Sequence, residues 1–64
     1  MVNKIKELRK LKKMRQEDLA SSLHVTRQTI NAIENNKYNP TLELAMRLAI
    51  LLDSTVEEVF ILNE

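Results

Sequence analysis

Apolar residues recur along the chain at the spacing of amphipathic helices, in short runs separated by breaks that carry capping or turn residues. Ile5, Leu8 and Leu11 fall on one side of a first helix of about residues 4–13, with Asn3 as its N-cap and lysines over the remaining surface. Gln16 to Leu23 makes a second helix with Leu19, Ala20 and Leu23 inward, and Met14 is placed to seal the joint between the two. His24-Val25-Thr26 breaks the pattern, after which Thr26 caps a third helix over residues 27–35. Pro40-Thr41 opens a fourth that runs to about Leu52. Asp53-Ser54 then turn the chain, and Thr55 with Glu58 forms a capping box for a last helix ending near Leu62. The pattern predicts an all-α fold of five helices in one domain, residues 1–64, with the second and third helices in the helix-turn-helix arrangement.

Glycine usually fills the left-handed position after a helix because it has no Cβ to clash there. This chain has none, and His24, Asn36 and Asp53 stand at three of the predicted helix ends. Asn, Asp and His are the other residues that most often adopt positive φ, so these three are expected to take the glycine role.

Composition narrows the rest. A chain of 64 residues buries only about 60% of the surface its unfolded form exposes, so stabilisation from a partner is expected. Without cysteine it has neither a disulfide nor a thiolate metal site, and the lone His24 lacks companions for one. No metal or other cofactor is expected. No run is long and apolar enough to span a membrane and no secretory leader is apparent, which places the chain in the cytoplasm. A net charge of +1 conceals a strong asymmetry. Lys4, Lys6, Arg9, Lys10, Lys12, Lys13 and Arg15 oppose only Glu7 in the first fifteen residues, whereas residues 41–64 hold Arg47 against Glu43, Asp53, Glu57, Glu58 and Glu64. One end suits a polyanion and the other does not.

Within the third helix, Ile30, Ile33 and Glu34 share the inward sector, while Gln28, Asn31, Ala32 and Asn35 share the outward one and Arg27 lies beside it in the first turn. Gln and Asn can pair with adenine N6 and N7, Ala can meet a thymine methyl, and Arg can reach guanine or a phosphate. Taken alone, those amides also fit an ordinary solvated face. The short turn before them, the second of two short helices beneath them and the basic segment upstream favour double-stranded DNA. Glu34 borders the core and needs a cation, for which Arg9 is the best placed; this makes Glu34 structural.

The run QEDLASSLHVTRQTINAIENNKYNP, Gln16 to Pro40, together with IKELRKLKKM before it and TLELAMRLAILLDSTVEEVF after it, resembles the phage repressor and Cro (Xre-type) family of regulators over nearly the whole chain. Within that family it looks most like the short stand-alone dimeric repressors that lack a ligand-sensing domain, the group that includes the cytolysin operon repressor. The resemblance implies a lambda-repressor-like domain without catalytic residues. It implies that Gln16 holds a phosphate and braces the third helix, that Gln28 is the principal base reader with Arg27 and Asn31 beside it, and that Arg9 and Glu34 form a tether. Thr26 and Thr29 would supply cap and backbone contacts, and Asn35, Lys37 and Tyr38 would lie along the sugar-phosphate strand. The sequence departs from the family at Arg15, where a Thr or Ser commonly caps the second helix; a phosphate contact from Arg15 is a possible compensation.

The fourth helix carries Met46 and Ile50 outside its core stripe, and Val56, Val59, Phe60, Ile61 and Leu62 are too many for one face of the fifth. A symmetric homodimer interface of Met46, Ile50, Val59, Phe60, Ile61 and Leu62 accounts for the excess. The rival classes are weaker. An enzyme lacks a nucleophile set, a phosphate loop and a pocket-sized volume. An antitoxin-type partner of a toxin would use the same fold with surfaces outside the helix-turn-helix, of which few are left over. No small-molecule ligand is evident.

Overall fold

The computed structural model describes residues 1–62, which form β1 (Val2–Asn3), α1 (Ile5–Leu11), α2 (Gln16–Leu23), α3 (Arg27–Glu34), α4 (Leu42–Leu51), α5 (Val56–Val59) and β2 (Phe60–Ile61). The five helices pack around one aliphatic core, in which Ile5, Leu19, Ile30, Ile33, Leu48 and Val59 are fully buried, so every helix contributes at least one such side chain. Leu8, Met14, Val25, Leu44, Leu51 and Val56 close around it. Among the described residues no helix is long and apolar enough to cross a membrane.

Threonine starts three of the helices. The Oγ1 atoms of Thr26, Thr41 and Thr55 each accept the N–H three residues on, from Thr29, Leu44 and Glu58, at 3.2 Å. The expected return bond of the Thr55 box takes another form, from the Thr55 hydroxyl to Glu58 Oε1 at 3.1 Å. At α2, Arg15 has no side-chain acceptor to offer, and the cap is rebuilt from inside the helix: the Asp18 carboxylate accepts the Arg15 backbone N–H at 2.8 Å. That bond, followed by contact with the Arg15 guanidinium, holds the Asp18 carboxyl below its ordinary range.

His24, Asn36 and Asp53 all have positive φ, at 58°, 59° and 55°. Lys13 joins them at 56°, which the sequence pattern did not predict because lysine has no local side-chain bond to favour that region. Its turn ends α1 earlier than expected, and Leu11, in the last turn, is 78% exposed instead of inward. Arg9, four residues after Ile5 and on its face, is the helix's other buried residue.

The C-terminal part also differs from expectation. The last helix stops at Val59, and Phe60–Ile61 continue as a strand antiparallel to Val2–Asn3, with Val2 opposite Ile61 and Asn3 opposite Phe60. Lys4 N–H extends the ribbon to the Val59 carbonyl at 2.8 Å. The apolar excess read as helix surface is thus partly ribbon. Val59 and Phe60, expected at a dimer interface, belong to the chain's own core: the strand turns Phe60 inward beneath the ribbon, and Val59 has no exposed surface to offer a second molecule.

Candidate functional site

α3 is anchored from behind by Ile30 and Ile33, each 1% exposed. With those positions fixed, helical geometry puts Arg27, Gln28, Asn31 and Asn35 on the open side, and all four are exposed. Ala32, expected on the outward side, is half-buried at the margin of the face. Beside it the chain leaving α3 folds back, and Lys37 N–H reaches the Ala32 carbonyl at 2.9 Å.

Beneath this face runs a polar chain that joins three helices. Arg9 Nε donates to Glu34 Oε2 at 2.8 Å and Arg9 Nη2 to Glu34 Oε1 at 3.3 Å, while Arg9 Nη1 donates to the Met14 carbonyl at 3.0 Å. The Glu34 side chain is 4% exposed, so this fork stands in for the water it has lost. Gln16 Nε2 donates to Glu34 Oε1 at 3.1 Å, which fixes the amide so that its Oε1 is the atom that accepts Arg27 Nε at 3.5 Å. A buried ion pair therefore orients Gln16, which in turn makes a long contact with Arg27 Nε; among the described residues the two terminal nitrogens of that guanidinium have no partner. Gln16, Arg27, Gln28 and Asn31 together line a concavity of about 310 Å³.

The flanks carry the remaining candidates. Thr26 and Thr29 share a hydroxyl contact at 3.0 Å at the start of α3, beside its first N–H groups. Asn35 Nδ2 is turned back on the helix, to the Asn31 carbonyl at 2.9 Å and Asn31 Oδ1 at 3.2 Å. That leaves Asn31 Nδ2 as the donor of the pair without an intramolecular acceptor among the described residues. Lys37 and Tyr38 are exposed in the loop after α3. Arg15 is exposed at the start of α2, where Asp18 and then Glu17 raise its guanidinium pKa above the ordinary value; a phosphate there has to compete with two carboxylates.

Away from α3, Met46 and Ile50 lie exposed on the outer side of α4, and Leu42 extends the stripe by one more turn. Ile61 and Leu62 are exposed at the end of the described chain, with Val2 exposed opposite Ile61. Two features of the site lay outside the sequence reading. One is the Asp18 cap, whose signal was an Asp three residues after a non-capping residue. The other is the second role of Asn3, whose partners stand 30 and 33 residues away, beyond any local pattern.

Compared with known proteins, residues 5–59 match the helix-turn-helix family. Over its whole length the chain is 47% identical to an uncharacterised HTH-type transcriptional regulator of Methanocaldococcus jannaschii, of which it covers 97%. It is 44% identical to YgzD, an uncharacterised HTH-type transcriptional regulator of Bacillus subtilis, again covering 97%. A third HTH-type transcriptional regulator, from Archaeoglobus fulgidus, is 42% identical and 90% covered.

Proposed function

Because the chain belongs to the helix-turn-helix family, we propose that it is a transcription regulator that binds double-stranded DNA in a sequence-specific manner, as a homodimer on an inverted-repeat operator, and represses by occupying it. The observation that carries this reading is the split of α3 into a buried back, Ile30 and Ile33, and an exposed amide and guanidinium front, Arg27, Gln28 and Asn31.

A helix of this diameter fits the major groove, where each base pair shows a distinct set of donors and acceptors. With its Nε on Gln16, Arg27 offers Nη1 and Nη2 as a fork to guanine O6 and N7. Gln28 and Asn31 suit adenine, Asn31 chiefly through Nδ2. Gln16, Thr26, Thr29, Lys37, Tyr38 and Arg15 border the same face and suit the phosphates that set register, as does Asn35 once released from Asn31. The lysines of α1 add attraction that does not depend on sequence.

The exposed apolar side chains Met46 and Ile50 on α4, with Ile61 and Leu62 at the ribbon, are the surfaces we assign to a second copy of the chain. Two-fold pairing would set the two α3 helices about 34–36 Å apart. The resemblance to stand-alone repressors supports repression over activation, since nothing beyond occupancy is needed. The test is selection of bound duplexes from a random pool. The reading expects an enriched inverted repeat with half-sites one helical turn apart; recovery of unenriched sequence at moderate salt would overturn it.

A further inference from the structure

Asn3 stands where three parts of the molecule meet. In β1 it lies opposite Phe60 of β2. Its Oδ1 accepts the Ile5 N–H at 3.2 Å at the start of α1, and its Nδ2 donates to the Ile33 carbonyl at 2.8 Å and to Asn36 Oδ1 at 3.0 Å. Ile33 lies in the last turn of α3, where carbonyls have no partner within the helix. The same oxygen also accepts the Asn36 N–H at 3.1 Å, and Asn36 is the left-handed residue at which the chain leaves α3.

For α1 alone an acceptor at position 3 is enough, and Ser, Thr or Asp would serve as well as Asn. The donor is what the amide adds, and both of its acceptors lie at the C-terminal end of α3. The start of α3 is held by Thr26 and by Gln16 through Arg27, and its last residue, Glu34, is held to α1 by Arg9 and to α2 by Gln16. Asn3 adds the tie from this same end to the ribbon, through the Ile33 carbonyl and Asn36.

We propose that Asn3 is a positioning residue for DNA reading, which sets the angle of α3 in the groove by clamping the exit of that helix to the β1–β2 ribbon. The role rests on the reading of α3 as the DNA-contacting helix. Because β2 also carries the exposed Ile61, the clamp passes any displacement of the ribbon to the residues after α3, Lys37 and Tyr38 among them.

Asn3→Asp and Asn3→Ser test it: both keep an acceptor for Ile5 N–H, the aspartate has no donor for Ile33, and the serine hydroxyl is one bond shorter than the amide arm that reaches it. Hydrogen exchange of the free protein, without DNA, should show the Asn36 and Lys37 amides exchanging about fivefold faster, the effect of one lost hydrogen bond. Binding well below the melting temperature, to the duplex that the wild type enriches, should weaken by roughly the same factor. Affinity for random duplex of equal length should stay near the wild-type value, which a purely structural role would not separate from the operator. Unchanged exchange would overturn the clamp. Faster exchange with an unchanged ratio of operator to random affinity would overturn the positioning role. If the wild type enriched no duplex, the role would fall with the DNA reading, and the exchange result would still show whether the clamp exists.

Discussion

Arg9 and Glu34, 25 residues apart in sequence, meet as a forked ion pair beneath α3, with Arg9 Nε 2.8 Å from Glu34 Oε2. Removing one partner strands the other charge in the core, which costs about 3–5 kcal/mol. Glu34→Ala is expected to lower stability by that amount in urea unfolding and to free Gln16. Replacing both by apolar residues, Arg9→Met with Glu34→Leu, should recover much of the loss. A single substitution that costs under about 1 kcal/mol would show that the pair carries no structural weight.

Lys13 pays for its left-handed φ with a Cβ clash of about 1–2 kcal/mol that glycine avoids. Lys13→Gly should raise the melting midpoint, with a net gain in stability of about 1 kcal/mol despite the looser unfolded chain. Lys13→Ala, which keeps the Cβ, should give no gain. Equal midpoints for the two variants would mean that the turn is not strained.

Asp18 should make the start of α2 sensitive to acid. Its carboxyl is held below the usual value of about 3.9 by the Arg15 N–H it accepts, so its contribution is present above that value and is lost as pH falls through the lower folded-state one. In an NMR titration the Arg15 amide should move with a midpoint below about 3.9 and stop moving in Asp18→Asn. A midpoint at or above the ordinary value would contradict the cap.

Ile50 and Phe60 separate interface from core. Ile50, 74% exposed, should act on assembly: Ile50→Asp is expected to lower sedimentation mass and DNA affinity together and leave the helical signal intact. Phe60 is buried, so Phe60→Ala should cost about 3–5 kcal/mol of stability. A dimer that survives Ile50→Asp would remove α4 from the proposed contact.

Local signals made the helices legible. Thr26, Thr41 and Thr55 carried the starts, and His24, Asn36 and Asp53 the left-handed ends, because each acts on backbone within three residues. The buried back of α3 followed from the spacing of Ile30 and Ile33 alone. The ribbon was illegible because two-residue strands are too short to show alternation, and the run Val59-Phe60-Ile61-Leu62 reads equally as helix or strand. Leu11 was misplaced for another reason: it stands three residues after Leu8, but six residues on from the buried Ile5 the helix has turned its side chain away from the core. Asn3 was expected as the N-cap of α1, but Lys4 holds that position and Asn3 accepts the Ile5 N–H from one residue earlier; its bonds to α3 required the fold to be known.

The claim that α3 reads bases is tested most directly by measuring the base preference of Gln28→Ala beside that of Lys37→Ala, on the duplexes the wild type selects. Gln28→Ala should lose about 1–3 kcal/mol on the selected sequence and relax preference at one position, whereas Lys37→Ala should weaken all sequences alike and lower the salt slope by about one. Equal losses for Gln28→Ala on selected and random DNA would contradict the account.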